Sequence, residues 1–258
     1  MRASSNFDFR PSSVIYALLI LTSLNVVVRS SVILKAFGPL PNVQLLMHSQ
    51  KVVDKTIKRK REAQFNHQFA GASCTDAEAP KSFRILNESL IVGHGLKDFH
   101  RASTFMFSFE MVNQMPWANV VISSDTEKAS ITVGTVLCTL IKCYRSVWTL
   151  NPVRICHISR TSEDEKILGK GASRLREGAK LVDQIAYSTI DGHLISGEER
   201  FRVSLMSNDD VVFDIYSFTK GAGAIGTIAM PFIRPIQGAF FRDVTLCMQK
   251  IMNSGKSL

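Results

Sequence analysis

The sequence predicts an α+β fold in which an antiparallel sheet wraps against a long C-terminal helix, behind an apolar N-terminal extension. Three observations predict it. Runs rich in Val and Ile follow one another through the middle of the chain, the last two are joined by "SNDD", and apolar residues after Gly226 recur every four positions. Strands in succession leave one sheet face to bury, and a single long amphipathic helix is the element available to bury it.

The chain has 258 residues, 45% of them hydrophobic and 21% charged, enough for one sizeable core with appended segments and unlike a disordered chain. Its first element is an uncharged run over residues 11–28, "PSSVIYALLILTSLNVVV", between Arg10 and Arg29. That length suits a signal core, a membrane anchor or a buried extension, and membrane or organelle association is favoured over secretion. "KVVDKTIKRKRE" follows at residues 51–62, with six basic residues against two acidic ones. It therefore holds +4 of the chain's net +9. A solvated helix face is the plain reading; a nuclear address, a nucleic-acid patch or an anionic-lipid anchor are the functional ones. Aromatic residues are not interleaved with the charges, so no specific nucleic-acid recognition is expected. Residues 1–63 thus form an apolar and basic extension, and residues 64–253 the domain proper.

Within the domain, Leu96, Phe99, Ala102, Met106 and Phe109 form one helical stripe opened by a glycine turn. "WANVVIS", "ITVGTVLCTLIKCY" and "VRICHIS" are strand-like. The charged segment Arg160 to Lys180, poor in large apolar side chains, is an inserted loop. "GEERFRVSLM" and "DVVFDIYSFT" are two further strands. The closing helix carries Ile228, Phe232, Ile236, Phe240, Val244 and Met248, with Pro231 and Pro235 expected to delimit or kink its start. Five cysteines, an odd number without paired spacing, favour a reducing compartment and give no metal site.

Five ordered motifs, "VGHGLKDFHRA", "WTLNPVRI", "YSTIDGHLISGEERF", "VVFDIYSFTK" and "PFIRPIQ", resemble the uncharacterised protein family 0548, also called domain of unknown function nineteen-ninety. The family pattern falls on Gly93, Gly95, Phe99, Arg101 and Ala102, then on Asn151, Pro152 and Arg154. It continues on Thr189, Gly192, His193, Gly197, Glu198, Glu199 and Phe201. Phe109, Ser188 and Gly221 depart from it. The resemblance implies no established activity, and its order of elements is similar to helix-grip domains that hold apolar ligands.

The stretch "IDGHLISGEERFRV" gathers the candidate site. As a strand it places Glu199 on one side with Phe201, Val203 and Leu205, and Glu198 on the other with Arg200, Arg202 and Ser204. A carboxylate on an apolar face needs a partner, and Arg154, His193 and Arg234 are the candidates. The expected ligand-binding residues are therefore Glu199, His193, Arg154, Arg234, Phe201 and Phe240, around a cavity between the sheet and the C-terminal helix. The expected partner is an apolar small molecule or lipid. An ion pair pinning strand to helix is the plain reading of Glu199, and His193 after Gly192 is plainly a turn residue. The alternatives are an enzyme using Glu199 with His193, and a membrane-attached interaction or pore-related protein built on residues 11–28. No cofactor, metal or catalytic residue is expected: Gly93-His94-Gly95 lacks the third glycine of a dinucleotide loop, with Asp98 in its place, and no glycine-x-serine-x-glycine elbow occurs.

Overall fold

The computed structural model describes residues 43–44, 48–75, 80–123, 131–144, 147–161 and 178–254. The elements, in chain order, are β1 (Val43–Gln44), α1 (Gln50–Lys60), β2 (Arg84–His94), α2 (Gly95–Phe107), α3 (Glu110–Asn113) and β3 (Ala118–Ile122). They continue with β4 (Val136–Tyr144), β5 (Val147–Ser159), β6 (Ala179–Thr189), β7 (Ile195–Met206), β8 (Asp210–Gly221) and α4 (Gly223–Ser254).

Strands β3 to β8 form an antiparallel meander. β2 returns to pair with β8, giving the order β2-β8-β7-β6-β5-β4-β3, with β1 beside β5. Register shifts in β2, β4, β5 and β6 increase the local twist and curl the sheet into a half-barrel. The concave side holds the main core, where α2, α3 and α4 pack against Ile155, Ile185, Phe201, Val203, Phe213 and Ile215. This is the helix-grip arrangement.

The "SNDD" turn forms as its chemistry predicts. Asn208 accepts the Asp210 N–H, and Asp209 sits in the left-handed region at φ 65°. Besides the two-residue β1, two strands lie outside the expected set. β6 is buried on both sides over most of its length, and its polar residues break any simple alternation. β2 carries Asn87, Glu88 and Ser89 mid-strand, which an exposed edge strand tolerates.

The C-terminal helix begins at Gly223, so of the two expected roles Pro231 and Pro235 do not delimit its start but lie inside it. A spacing of four also advances about 40° per step beyond a full turn, so the expected stripe winds around the helix. Ile228 is 75% exposed and Phe232 46%, whereas Phe240 is 7% exposed and Val244 and Met248 are buried completely.

The outer side of the sheet is covered as well. Helix α1 sets Val53 and Ile57 against Val136, Cys138, Leu150 and Ile190 in a second core, while Lys51, Lys55, Lys58 and Arg59 face solvent. The basic run is thus the solvated face of a helix that packs on the domain, although it falls within the expected 1–63 extension. Further along, His67, Phe69, Phe83 and Phe218 interlock over β8, with ring centroids 5.4 to 6.4 Å apart. Among the described residues no helix is long and apolar enough to cross a membrane. Residues 11–28, and residues 162–177 of the expected loop, lie outside the described residues, and the end of that loop is already β6.

Candidate ligand-binding site

Alternation along β7 places Glu199 on the concave side with Phe201, Val203 and Leu205, as the sequence predicts. Its partner is none of the three expected. Tyr187 stands directly opposite on β6 and donates its hydroxyl to Glu199 Oε1. Burial among apolar side chains pushes the Glu199 carboxyl up to about 7, against the opposing effect of that hydrogen bond. Burial, then the facing carboxylate, raises the Tyr187 hydroxyl well above its ordinary value.

Across β8, Ser217 stands opposite Glu199, so Tyr187, Glu199 and Ser217 form one polar row on an otherwise apolar face. One step along, Gln237 of α4 donates from Nε2 to Thr219 Oγ1 at 3.2 Å. Below the row Phe201 is buried completely, stacked on Phe213 at 6.4 Å and edge-on to Phe109 at 5.9 Å. Phe109 holds the left-handed conformation at φ 55°, an uncommon and costly one for a bulky residue, and buries its ring against Tyr187 and Phe201. Phe240 meets Trp117 edge-on at 6.2 Å, and Trp117 donates to Asp243 at 3.0 Å.

The other expected site residues lie elsewhere. Arg154 donates to the Arg61 carbonyl at 2.6 Å and lies over the Phe65 ring, fastening the end of α1 to the sheet. His193 sits in the β6–β7 turn, where Nδ1 accepts the Ile195 N–H at 2.9 Å, and burial pushes it down to about 4. Arg234 is exposed on α4. The structure therefore brings together Glu199, Phe201 and Phe240 on the concave side and leaves out Arg154, His193 and Arg234.

What sequence reasoning missed is the outer face of β7. Glu198 is 1% exposed and accepts from Gly71 N (2.5 Å), Ser73 N (2.8 Å), Ser188 Oγ (2.5 Å) and Cys156 Sγ (3.3 Å). Beside it, Asp214 binds Arg200 at 2.9 Å and Arg202 at 2.8 Å. Pairing the two strands through "SNDD" puts Arg202 opposite Asp214, a signal that was available.

Helix α4 covers the site unevenly. From Phe240 onward it is anchored by Phe241, Val244, Met248 and Met252, whereas between Gly226 and Phe240 only Met230 is buried. Pro231 and Pro235 also supply no N–H to the carbonyls one turn back, so this half lacks two of its internal hydrogen bonds. The rings just described pack together on the concave side of the sheet. Two clefts lie elsewhere. One, of about 420 Å³, is lined by Asn66, His193, Ser196 and Lys220 near the start of α4; the other, of about 480 Å³, is lined by Leu90, Ile91, Met206 and Asn208. Among the described residues no group of three His, Cys, Asp or Glu side chains is placed to hold a metal ion.

A family profile described as "Domain of unknown function (DUF1990)" matches residues 68–246. The chain belongs to the DUF1990 family. A UPF0548 protein of Arabidopsis thaliana is 22% identical over 213 residues, covering 80% of this chain and 93% of its own length. Among solved structures, a hypothetical protein from Helicobacter pylori aligns with TM-score 0.45 and 9% identity over 66% of this chain and 88% of its own. A Streptomyces aromatase/cyclase aligns with TM-score 0.43 and 8% identity over 66% and 94%. Major latex-like protein 151 of Panax ginseng aligns with TM-score 0.36 and 11% identity over 66% and 97%.

Several residues that carry the DUF1990 resemblance build the frame around the site. Asp98 accepts the His94 N–H at 2.9 Å, and a Cβ at Gly93 would meet the Asp98 side chain at 2.6 Å. Arg101 donates to the carbonyls of Ile251 and Met252, holding the end of α4. Thr189 Oγ1 accepts the Gly197 N–H, and a Cβ at Gly197 would strike the Phe218 carbonyl at 2.1 Å.

Proposed function

We propose that this DUF1990 domain binds a small apolar or amphipathic molecule on the concave face, between the Tyr187–Glu199–Ser217 row and the N-terminal half of α4. One observation carries the reading: the row is the polar interruption of an aromatic surface, and Thr219, two residues along β8 on the same face, is bonded by Gln237 of the thinly anchored half of the closing helix. Apolar lining with a few convergent polar groups and a carboxyl shifted to about 7 is the usual composition of a ligand site. Lifting residues 227–239 removes one buried side chain from the core, Met230, so opening is far less costly there than beyond Phe240.

The enzyme reading needs Glu199 and His193 to share a proton. Each is instead hydrogen-bonded to a different partner, Glu199 to Tyr187 and His193 to its own turn, which favours binding over acid–base chemistry. Fluorescence titration of the full chain with the neutral probe N-phenylnaphthylamine, alongside native mass spectrometry, tests the proposal. Saturable enhancement with one probe per chain supports it; a bare chain with no enhancement overturns it. Membrane attachment through residues 11–28 is a separate proposal resting on the uncharged run alone, tested by flotation of the full chain with anionic liposomes.

A further inference from the structure

Among the described residues, Ser217 Oγ and Gln237 Oε1 are two of the buried polar atoms without a hydrogen-bond partner. Ser217 is 0% exposed, and its Oγ, opposite Glu199, is unpaired. Gln237 uses its Nε2 on Thr219, and its Oε1 is buried and unpaired. Thr219 is two residues from Ser217 along β8 and shares its face, so the two orphaned atoms belong to one region, under the half of α4 that carries Pro231 and Pro235. The remaining buried unpaired atoms among the described residues belong to His48, Ser103, Arg200 and Ser204. Of these Arg200 and Ser204 lie on the outer side of the sheet, and Ser103 lies on α2 beside the core residues Ala102 and Met106.

Orphaned buried groups cost stability, and a native structure keeps few of them without a use. The chemistry of this pair is specific. Gln237 Oε1 only accepts, whereas a serine hydroxyl has a proton to give. A group that donates to the first and accepts from the second completes both, and a hydroxyl does this with a single oxygen. The charges nearby select further. Glu199 stands in the same row, so a ligand carboxylate meets a like group; the cation next along by register, Arg84 opposite Thr219, is exposed to solvent. A ligand ammonium donates to Gln237 and finds a counter-charge in Glu199, but it carries no acceptor for the Ser217 proton. We infer that the concave site recognises an uncharged alcohol or phenol carried on an apolar body, its hydroxyl seated between Ser217 Oγ and Gln237 Oε1 while the body lies against the Phe201 side of the face. This inference rests on the binding reading above and adds the ligand's chemical class to it.

The test uses the full chain loaded with N-phenylnaphthylamine and four competitors of one size: naphthol, naphthalene, naphthoic acid and naphthylmethylammonium. Two hydrogen bonds to groups otherwise unpaired give naphthol roughly tenfold or more over naphthalene at pH 8. The two charged competitors are expected to be weaker than naphthol. Ser217→Ala should remove most of the naphthol advantage and leave naphthalene unchanged. Gln237→Met, at a partly exposed helix position, should do the same by loss of the acceptor and serves if the strand variant does not fold. Equal displacement by naphthol and naphthalene, or preference for a charged competitor, overturns the alcohol class while leaving a binding site. Unchanged naphthol preference in both variants overturns the placement of the hydroxyl. A parent chain that never takes up the probe overturns the binding reading and this inference with it.

Discussion

Glu198 and Glu199 are neighbours in sequence on opposite faces of β7, and their surroundings could hardly differ more. Glu198 accepts from two backbone N–H groups, a serine hydroxyl and a thiol, so its charge is matched by a fixed set of donors on the outer side. Glu199 has the Tyr187 hydroxyl, and burial raises it to about 7. A carboxylate with many donors holds structure together; a carboxyl with few, held in an apolar concavity, is left able to respond to a ligand or to pH.

The sharpest way to break this comparison is Glu198→Ala. It strands the buried Ser73 N–H and the half-buried Gly71 N–H and leaves the anchor of the 71–73 segment on the sheet unmade, at an expected loss of about 4 kcal/mol in denaturant unfolding at pH 7. A loss below about 1 kcal/mol would mean that the outer network is ornamental.

Next in size is the pH dependence of Glu199. Its folded value, about 7, lies above the ordinary 4.5. The folded state therefore holds the proton more tightly than the unfolded state. The contribution is fully present below about pH 4.5 and is lost as pH rises through about 7. A shift of this size amounts to about 3 kcal/mol across that window. Glu199→Gln keeps the shape without the ionisation, so its stability should stay level relative to the parent's decline, and the variant should be the more stable of the two at pH 8. Parallel stability–pH curves would remove Glu199 from the concave face.

Tyr187→Phe sharpens the same point. Removing a donor to the carboxylate should move the parent's midpoint further upward, with a stability loss near 1 kcal/mol at pH 8 and a smaller one at pH 5. The smallest effect belongs to the thin half of α4: Phe232→Ala, at a 46% exposed position, should change stability by less than about 0.5 kcal/mol. Phe240→Ala, in the anchored half, should cost roughly 3 to 5 kcal/mol. Equal costs at the two positions would erase the distinction on which opening of the helix depends.

What was legible in the sequence follows the same divide. The antiparallel sheet, the closing helix and the inward aim of Glu199 could be read because β7 alternates between polar and apolar residues from Arg200 to Leu205 and "SNDD" fixes its pairing with β8. The partner of Glu199 could not, since Tyr187 comes from β6, a strand buried on both sides whose pattern hides it. The Glu198 network was hidden for another reason: two of its donors are backbone groups at Gly71 and Ser73, which no side-chain pattern advertises. Arg154 and His193 enter the expected site as partners that a carboxylate on an apolar face needs. Their hydrogen bonds show that one fastens α1 and the other closes a turn.

The claim that the Glu199 row is the ligand's polar contact is tested most directly by carbon-13 NMR of the glutamate carboxyls, assigned with Glu198→Gln and Glu199→Gln. The account predicts a Glu199 midpoint near 7, displaced when naphthol is added, with the Glu198 resonance unmoved by the same addition. A Glu199 resonance that titrates near 4.5 and ignores naphthol would contradict it.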